Sequence, residues 1–168
     1  LSDGVAKLLP GEADSVVIAG MGGELSINIL ENGRHMWDSV KQWVLSPQSE
    51  IFKVRRWLFE NGFVIRKEDM VLEDGKFYTV MDVRREKDAD SEGKTVDPDV
   101  LSLSEDSRML YGDYLIRTKN PVLLTYLKEE EAKLLRFIED LSAKAGDSER
   151  AAERLFELKL QLKENQEV

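Results

Sequence analysis

The stretch SVVIAGMGGELSINIL, residues 15–30, decides the fold of the chain. Its first five residues have the length and apolar composition of a buried parallel strand, and its last eight have a helix-compatible apolar pattern. Gly20, Gly22 and Gly23 lie between them. Glycine weakens regular structure, so such a cluster at a strand end indicates that a ligand or a packed neighbour approaches the backbone closely. From position alone, a functional loop and a tight strand-to-helix turn are equally good interpretations.

The elements that follow this loop predict a mixed sheet. A second strand is expected at residues 42–45, followed by a helix with Ser49 as its N-cap and Gly62 just beyond its end. The apolar period then changes to two over residues 63–86, which predicts two antiparallel strands joined by the turn EDGK. The order strand, helix, strand, helix, hairpin predicts an α/β fold with a mostly parallel sheet and an antiparallel edge hairpin.

The rest of the chain divides into a connecting segment and two helices. Residues 86–99 are polar and lack periodicity, which indicates a linker, and we place the connecting segment at residues 86–118. Residues 119–168 carry two apolar stripes at helical spacing, which predict a coiled-coil-like antiparallel helical hairpin. Residues 1–85 then form the sheet domain.

Composition narrows the classes of function. The chain has 168 residues, 42% of them hydrophobic, enough for a globular core. It has no cysteine and one histidine, His35, which excludes thiolate chemistry and removes most histidine-based metal chemistry. No apolar run approaches the roughly 20 residues of a membrane span, so we expect a soluble protein without a membrane partner. The absence of cysteine permits a reducing cytoplasm, where we place the protein, and we expect no metal partner. The net charge of −9 argues against nonspecific nucleic-acid binding as the main activity, but a local basic patch such as KVRRW, residues 53–57, is not excluded.

Several segments together resemble one enzyme family. They are the region from Ser2 through the loop IAGMGG, the proline-containing turn LSPQ, the segment through DGKFY to Val83, and YGDYLIRTKNPVLLTYL before the helical hairpin. The combination resembles the TrmK family of bacterial methyltransferases, which use S-adenosylmethionine to methylate N1 of adenine 22 in tRNA. The resemblance implies a partial Rossmann-like (class I methyltransferase) fold, S-adenosylmethionine as the cofactor and tRNA as the partner.

The same resemblance implies that the chain is an N-terminally truncated fragment. In the family the first strands and the glycine-rich loop that holds the cofactor lie upstream of the element matched here by Ser2, Asp3 and Gly4. We therefore expect the main cofactor loop to be missing and the fragment to be inactive alone. A truncated sheet has an unpaired edge, which permits self-association.

The resemblance assigns Asp3 to catalysis and both Asp3 and Gly4 to cofactor binding. The implied chemistry is an in-line displacement, in which the lone pair on adenine N1 attacks the sulfonium methyl group. A carboxylate such as that of Asp3 would stabilise the developing positive charge or accept a proton from the exocyclic amine. From the residues alone, a helix N-cap is the better interpretation of Asp3.

The glycine loop is implied to bring methyl donor and target base together. Ala19, Gly20 and Met21 are expected to bind the cofactor, and Gly22 and Gly23 the substrate, because glycines leave room for a flat base beside the backbone. Taken by itself, Met21 is better interpreted as a packed side chain that fills a gap.

The turn after the second strand is the other implied part of the substrate site. Pro47 and Gln48 are expected to contact the substrate, although Ser46-Pro47-Gln48 stands where many family members have Gln-Pro-Asn. Exposed aromatic residues are further candidates, because they can stack on RNA bases. The chain offers Trp37, Trp43, Trp57 and Tyr78. Core packing is the better interpretation of Trp43 and Trp57.

Two other classes of function remain open at this stage. One is an α/β interaction module that binds protein partners through the helical hairpin. The other is a different Rossmann-type enzyme with a nucleotide cofactor.

Overall fold

The computed structural model describes residues 4–86, 102–144 and 149–168. Its elements in chain order are β1 (Ser15–Met21), α1 (Gly23–Asn32), a 3-10 turn (Arg34–Met36), β2 (Gln42–Pro47), α2 (Ile51–Glu60), β3 (Phe63–Glu73), β4 (Lys76–Arg85), α3 (Glu105–Tyr111), α4 (Asp113–Arg117), α5 (Pro121–Lys144) and α6 (Glu149–Glu167). Asp3 and nearly all of the predicted linker at residues 86–99 lie outside the described residues.

The four strands form one sheet in the order β1-β2-β4-β3. Strands β1 and β2 are parallel, whereas β4 runs antiparallel to both β2 and β3. The turn between β3 and β4 holds Asp74 and Gly75 at positive φ, 49° and 73°, as a tight two-residue hairpin turn requires. The predicted mostly parallel sheet with an antiparallel edge hairpin is therefore confirmed.

The main core lies between one side of the sheet and the helices α1 and α2. We call this side the helix face. Its fully buried side chains include Trp43, Leu45, Met81 and Val83, which pack with residues of both helices. Successive strand residues point to opposite sides, and on the opposite side, which we call the open face, Val17 is 68% exposed.

A second apolar cluster joins the helical part of the chain to β3 and β4. Its buried members are Met70, Tyr111, Leu115, Leu123 and Leu127. They come from β3, α3, α4 and α5, so the predicted connecting segment contains two helices that pack against the sheet.

The predicted antiparallel helical hairpin is confirmed as α5 and α6. Leu134 and Leu158 are buried along its seam. Asn165 is also buried, and its side-chain amide donates to the carbonyl oxygen of Leu127 at 3.3 Å.

The structure corrects one prediction about a helix end. The N-cap of α2 is Glu50 rather than Ser49, and no side chain in the described part of the chain caps this helix. Glu50 has a left-handed conformation with φ 53° and ψ 36°, which turns the chain sharply between β2 and α2. Both β1 and β2 also continue two residues beyond their predicted ends.

Candidate active site

The carboxyl ends of the parallel strands β1 and β2, beside β4, define the candidate site. Met21, the last residue of β1, pairs with Pro47, the last residue of β2. Leu45 of β2 pairs with Met81 of β4, so continuing this register by two residues places Pro47 level with Thr79. Ligands of open α/β sheets bind beyond the carboxyl ends of the parallel strands. We call residues 20–23 and 47–50 at this edge the strand-end site.

The two loops of the strand-end site are in direct contact. The backbone N–H of Gln48 donates to the carbonyl oxygen of Met21 at 2.8 Å. A Cβ at Gly23 would lie 2.7 Å from the carbonyl oxygen of Ser49 and 2.9 Å from that of Glu50. Gly23 therefore fits the packed-neighbour interpretation of the glycine cluster, because a side chain there would push the loops apart. Its contact with substrate stays a prediction, as does that of Gly22.

Gly20 differs from the two glycines that follow it. Its φ of 75° lies in the region that favours glycine, and a Cβ there would meet no atom within 4 Å in the described part of the chain. Ala19 is exposed, and Met21 is 36% exposed, so the Met21 side chain is not packed into the core. The end of β1 is thus open to a ligand, which fits the predicted cofactor contacts of Ala19, Gly20 and Met21 without testing them.

An ion cluster ties together the first turns of α1 and α2. The ammonium group of Lys53 lies 2.8 Å from a carboxylate oxygen of Glu24 and 2.5 Å from one of Glu50. Hydrogen bonding to Glu24 and then to Glu50 raises the pKa of Lys53, and the Lys53 hydrogen bond lowers the pKa of Glu24. Sequence reasoning missed this cluster, since Glu24 and Lys53 are distant in the chain.

The basic stretch KVRRW does not form a free cationic patch. Arg55 is buried, and its guanidinium contacts Glu68 at 2.7 Å. Arg56 pairs with Asp106 at 2.7 Å on the surface. Together with the Lys53 cluster, these contacts neutralise the three cations that sequence analysis had left as a candidate patch.

The remaining predicted site residues differ in accessibility. Pro47 is buried, whereas Gln48 beside it is exposed. Gly4 has a φ of 56°, and a Cβ there would lie 3.0 Å from the Ile29 side chain on α1. Asp3 lies outside the described residues, so the structure does not place the predicted catalytic carboxylate.

The aromatic candidates separate into core residues and one strand-end residue. Trp43 is fully buried, which confirms the core interpretation. Trp57 is partly buried against the same core, where it stacks on Phe63 with ring centroids 5.9 Å apart. Trp37 packs edge-on to Trp57 at 5.6 Å. Tyr78 of β4 is half-buried and belongs to neither apolar cluster.

Within residues 4–86, 102–144 and 149–168, no group of three or more histidine, cysteine, aspartate or glutamate side chains is arranged to hold a metal ion. No helix in these ranges is long and apolar enough to cross a membrane.

Comparisons with known proteins agree over almost the whole chain. Residues 1–167 match the sequence profile of the family described as TrmK, tRNA (adenine(22)-N(1))-methyltransferase. The tRNA (adenine(22)-N(1))-methyltransferase of Bacillus subtilis is 33% identical over 157 residues, which are 93% of this chain and 62% of that relative. The chain thus spans less than two thirds of the length of this curated relative.

Solved structures show the same fold. The crystal structure of the B. subtilis M1A22 tRNA methyltransferase TrmK has a TM-score of 0.80 at 30% identity and covers 99% of this chain and 67% of its own. A Streptococcus pneumoniae protein solved in complex with S-adenosyl-L-methionine has a TM-score of 0.68 at 26% identity and covers 96% of this chain and 66% of its own. The predicted Rossmann-like fold is therefore confirmed, and the chain belongs to the TrmK family of tRNA (adenine(22)-N(1))-methyltransferases.

Proposed function

We propose that the protein containing this chain uses S-adenosylmethionine to methylate N1 of an adenine in tRNA. The observation that carries the proposal is the match of residues 1–167 to the TrmK family. The S. pneumoniae relative was solved with S-adenosyl-L-methionine, which supports the same cofactor here. A tRNA substrate in turn favours a cytoplasmic location.

The described residues fit a bound cofactor at the end of β1. Gly20 has open space where a side chain would stand, and Ala19 and Met21 on either side are exposed. These three residues would hold the cofactor, which supplies an electrophilic methyl group when bound. Because glycine has no side chain, the space next to Gly20 would let the ligand approach the backbone more closely than any other residue type would allow.

The substrate would lie over the rest of the strand-end site. Gly22, Gly23, Pro47 and Gln48 would position the adenine so that the lone pair on N1 faces the methyl group, and positioning of this kind carries much of the rate. Asp3 would stabilise the positive charge that develops on the base, or accept a proton from its exocyclic amine. The base must be exposed or flipped out of its stack to enter.

The direct test is S-adenosylmethionine binding by calorimetry followed by methyl transfer to tRNA. It uses this chain and a form extended through the coding sequence upstream of Leu1. We expect the extended form to bind the cofactor and to methylate a transcript with adenine at position 22, but not one with guanine there. Absence of both binding and transfer in two well-folded forms would falsify the proposal.

A pair of glycine variants localises the site. Gly20→Val should abolish cofactor binding by the extended form, because the side chain fills the open space. Gly11→Val is the matched control, since Gly11 also has a positive φ, 90°, with no atom within 4 Å of a Cβ among the described residues, but it lies before β1. Equal losses of binding in the two variants would mean that backbone strain, rather than ligand contact, explains the effect.

The division into a sheet domain at residues 1–85, a connecting segment at 86–118 and a helical hairpin at 119–168 remains part of this proposal. The hairpin also keeps the second candidate function open. Phe137 and Phe156 on its two helices are 58% and 71% exposed, which favours contact with a macromolecular partner. If no methyl transfer is found, the leading alternative is that the exposed surface of α5 and α6 binds a protein partner.

A further inference from the structure

The β3–β4 hairpin extends past the strand-end site. Thr79 of β4 is level with Pro47, the last residue of β2, by the register described above. β4 begins at Lys76 and β3 ends at Glu73, so the hairpin continues for three more residues on β4 beyond that level. At about 3.3 Å per residue this is on the order of 10 Å. The hairpin therefore forms a wall beside the site.

Side chains of the β3–β4 hairpin alternate between the two faces of the sheet. This alternation decides which of them face the helices. Phe77 packs against Tyr126 of α5 with ring centroids 5.2 Å apart, and Thr79 is 1% exposed. Tyr78 lies between them and points to the open face of the sheet, where its cross-strand partner Val71 is 45% exposed. Tyr78 itself is half-buried, so part of its ring is accessible one residue past the level at which β2 ends.

The position of Tyr78 sets it apart from the other aromatic candidates. Strands in a sheet lie about 4.8 Å apart, so β4 is one strand spacing from the loop after β2 and two from the loop after β1. Trp43 is buried, and Trp37 and Trp57 pack with Phe63 at the core. Among these four, Tyr78 alone combines accessibility with a place at the strand ends.

We propose that the ring of Tyr78 stacks on a nucleobase of the tRNA, next to or at the target adenine, and so helps to position the substrate. The proposal rests on the proposed function. Stacking suits this surface because the chain carries a net charge of −9, which weakens general attraction to phosphates. Every base offers a π-face to an aromatic ring, so such a contact needs no cationic patch.

The test compares Tyr78→Leu with Tyr78→Phe in the extended form. Tyr78→Leu should raise the KM for tRNA by about tenfold, which is within the range for loss of one base stack, and leave cofactor affinity unchanged. Tyr78→Phe should remain within about twofold of wild type, since the ring is kept. The control is Tyr114→Leu, because Tyr114 is also a half-buried tyrosine but lies on α4. An unchanged KM in Tyr78→Leu, or an equal loss in Tyr78→Phe, would overturn the proposal.

A second measurement does not depend on methyl transfer or on the stability of Tyr78→Leu. Tyr78→Trp keeps a β-forming aromatic residue and adds a fluorophore at the strand ends. We expect tRNA to quench the added emission relative to wild type, and no quenching at tRNA concentrations that saturate binding would overturn the proposal. If the wild type does not methylate tRNA at all, the proposed function fails, whereas this titration still decides whether tRNA contacts Tyr78.

Discussion

Gly22 and Gly23 are neighbours in one loop but differ in what surrounds their α-carbons. A Cβ at Gly23 would meet backbone oxygens of Ser49 and Glu50 below 3.0 Å, whereas a Cβ at Gly22 would meet only the Ser49 hydroxyl at 3.2 Å. The backbone oxygens cannot rotate away from an added Cβ, whereas the exposed Ser49 hydroxyl can. We therefore expect Gly23→Ala to lower the free energy of unfolding by about 1–3 kcal/mol, the cost of overpacking.

Gly22→Ala is the matched control and should cost less than about 1 kcal/mol. Both values are measured by urea unfolding, and cofactor binding by the extended form should follow the same order. Equal stability of the two alanine variants would show that the loops separate without cost and that their contact does not shape the site.

Tyr126 supplies a residue-scale prediction about pH. Burial on α5 raises its pKa from 10.0 to about 12. Because the folded state holds the proton more tightly than the unfolded state, the stability linked to Tyr126 is complete below pH 10 and is lost as the pH rises towards 12. Tyr126→Phe should therefore lose less stability than wild type between these pH values, as measured by urea unfolding. Identical pH profiles would contradict the burial of this hydroxyl in the folded state.

At the scale of elements, local patterns predicted most of the sheet domain. The apolar run after Ser15 and the EDGK turn are sufficient to predict β1 and the antiparallel hairpin, because strand and turn signals are local. The predicted N-cap of α2, Ser49, was wrong because Glu50 adopts a left-handed conformation, which is uncommon for a residue other than glycine and has no local sequence signal. The sequence predicts a candidate site at the strand ends, whereas the contact between its two loops is seen only in the structure.

Helices α3 and α4 were missed for a different physical reason. They have only seven and five residues, too few to show a repeated apolar stripe, and tertiary contacts supply their stability. One local signal was present, since Ser104 precedes two acidic residues and caps α3 by accepting a hydrogen bond from the Ser107 N–H at 2.9 Å. The Arg55 contacts to the carbonyl oxygens of Met109 and Leu110 were not visible in the sequence.

The helical hairpin offers a comparison between two adjacent leucines. Leu134 is 4% exposed at the seam between α5 and α6, whereas Leu135 is 48% exposed. Leu134→Ala should lower the free energy of unfolding by about 2–5 kcal/mol, through lost burial and a cavity. Leu135→Ala should stay within about 0.5 kcal/mol, since exposed substitutions change little. Urea unfolding of both variants measures the difference, and equal effects would mean that α5 does not pack through this seam.

At the scale of the whole molecule, one buried ion pair joins the two cores. Arg55 on α2 donates to Glu68 on β3 at 2.7 and 2.9 Å and also to the carbonyl oxygens at the end of α3. Burial raises the pKa of Glu68, and the charge and hydrogen bonds of Arg55 oppose that rise. The guanidinium thus binds a strand of the sheet and a helix of the second cluster at once, so the helical part of the chain is fixed to the sheet through it.

Cutting this link should destabilise both cores together. Arg55→Met leaves Glu68 buried without its partner, and breaking a buried pair in this way costs about 3–5 kcal/mol. Arg56→Met is the control, because Arg56 is the next residue but pairs with Asp106 on the surface, where loss of an ion pair costs at most about 1 kcal/mol.

The double variant Arg55→Met with Glu68→Leu should cost less than the sum of its single changes, since no charge is then left buried. Urea unfolding of the wild type, the three single variants and the double variant measures these differences. Additive costs would show that the two side chains act independently, and the attachment of the helical part would then rest on apolar packing around Met70 and Leu115.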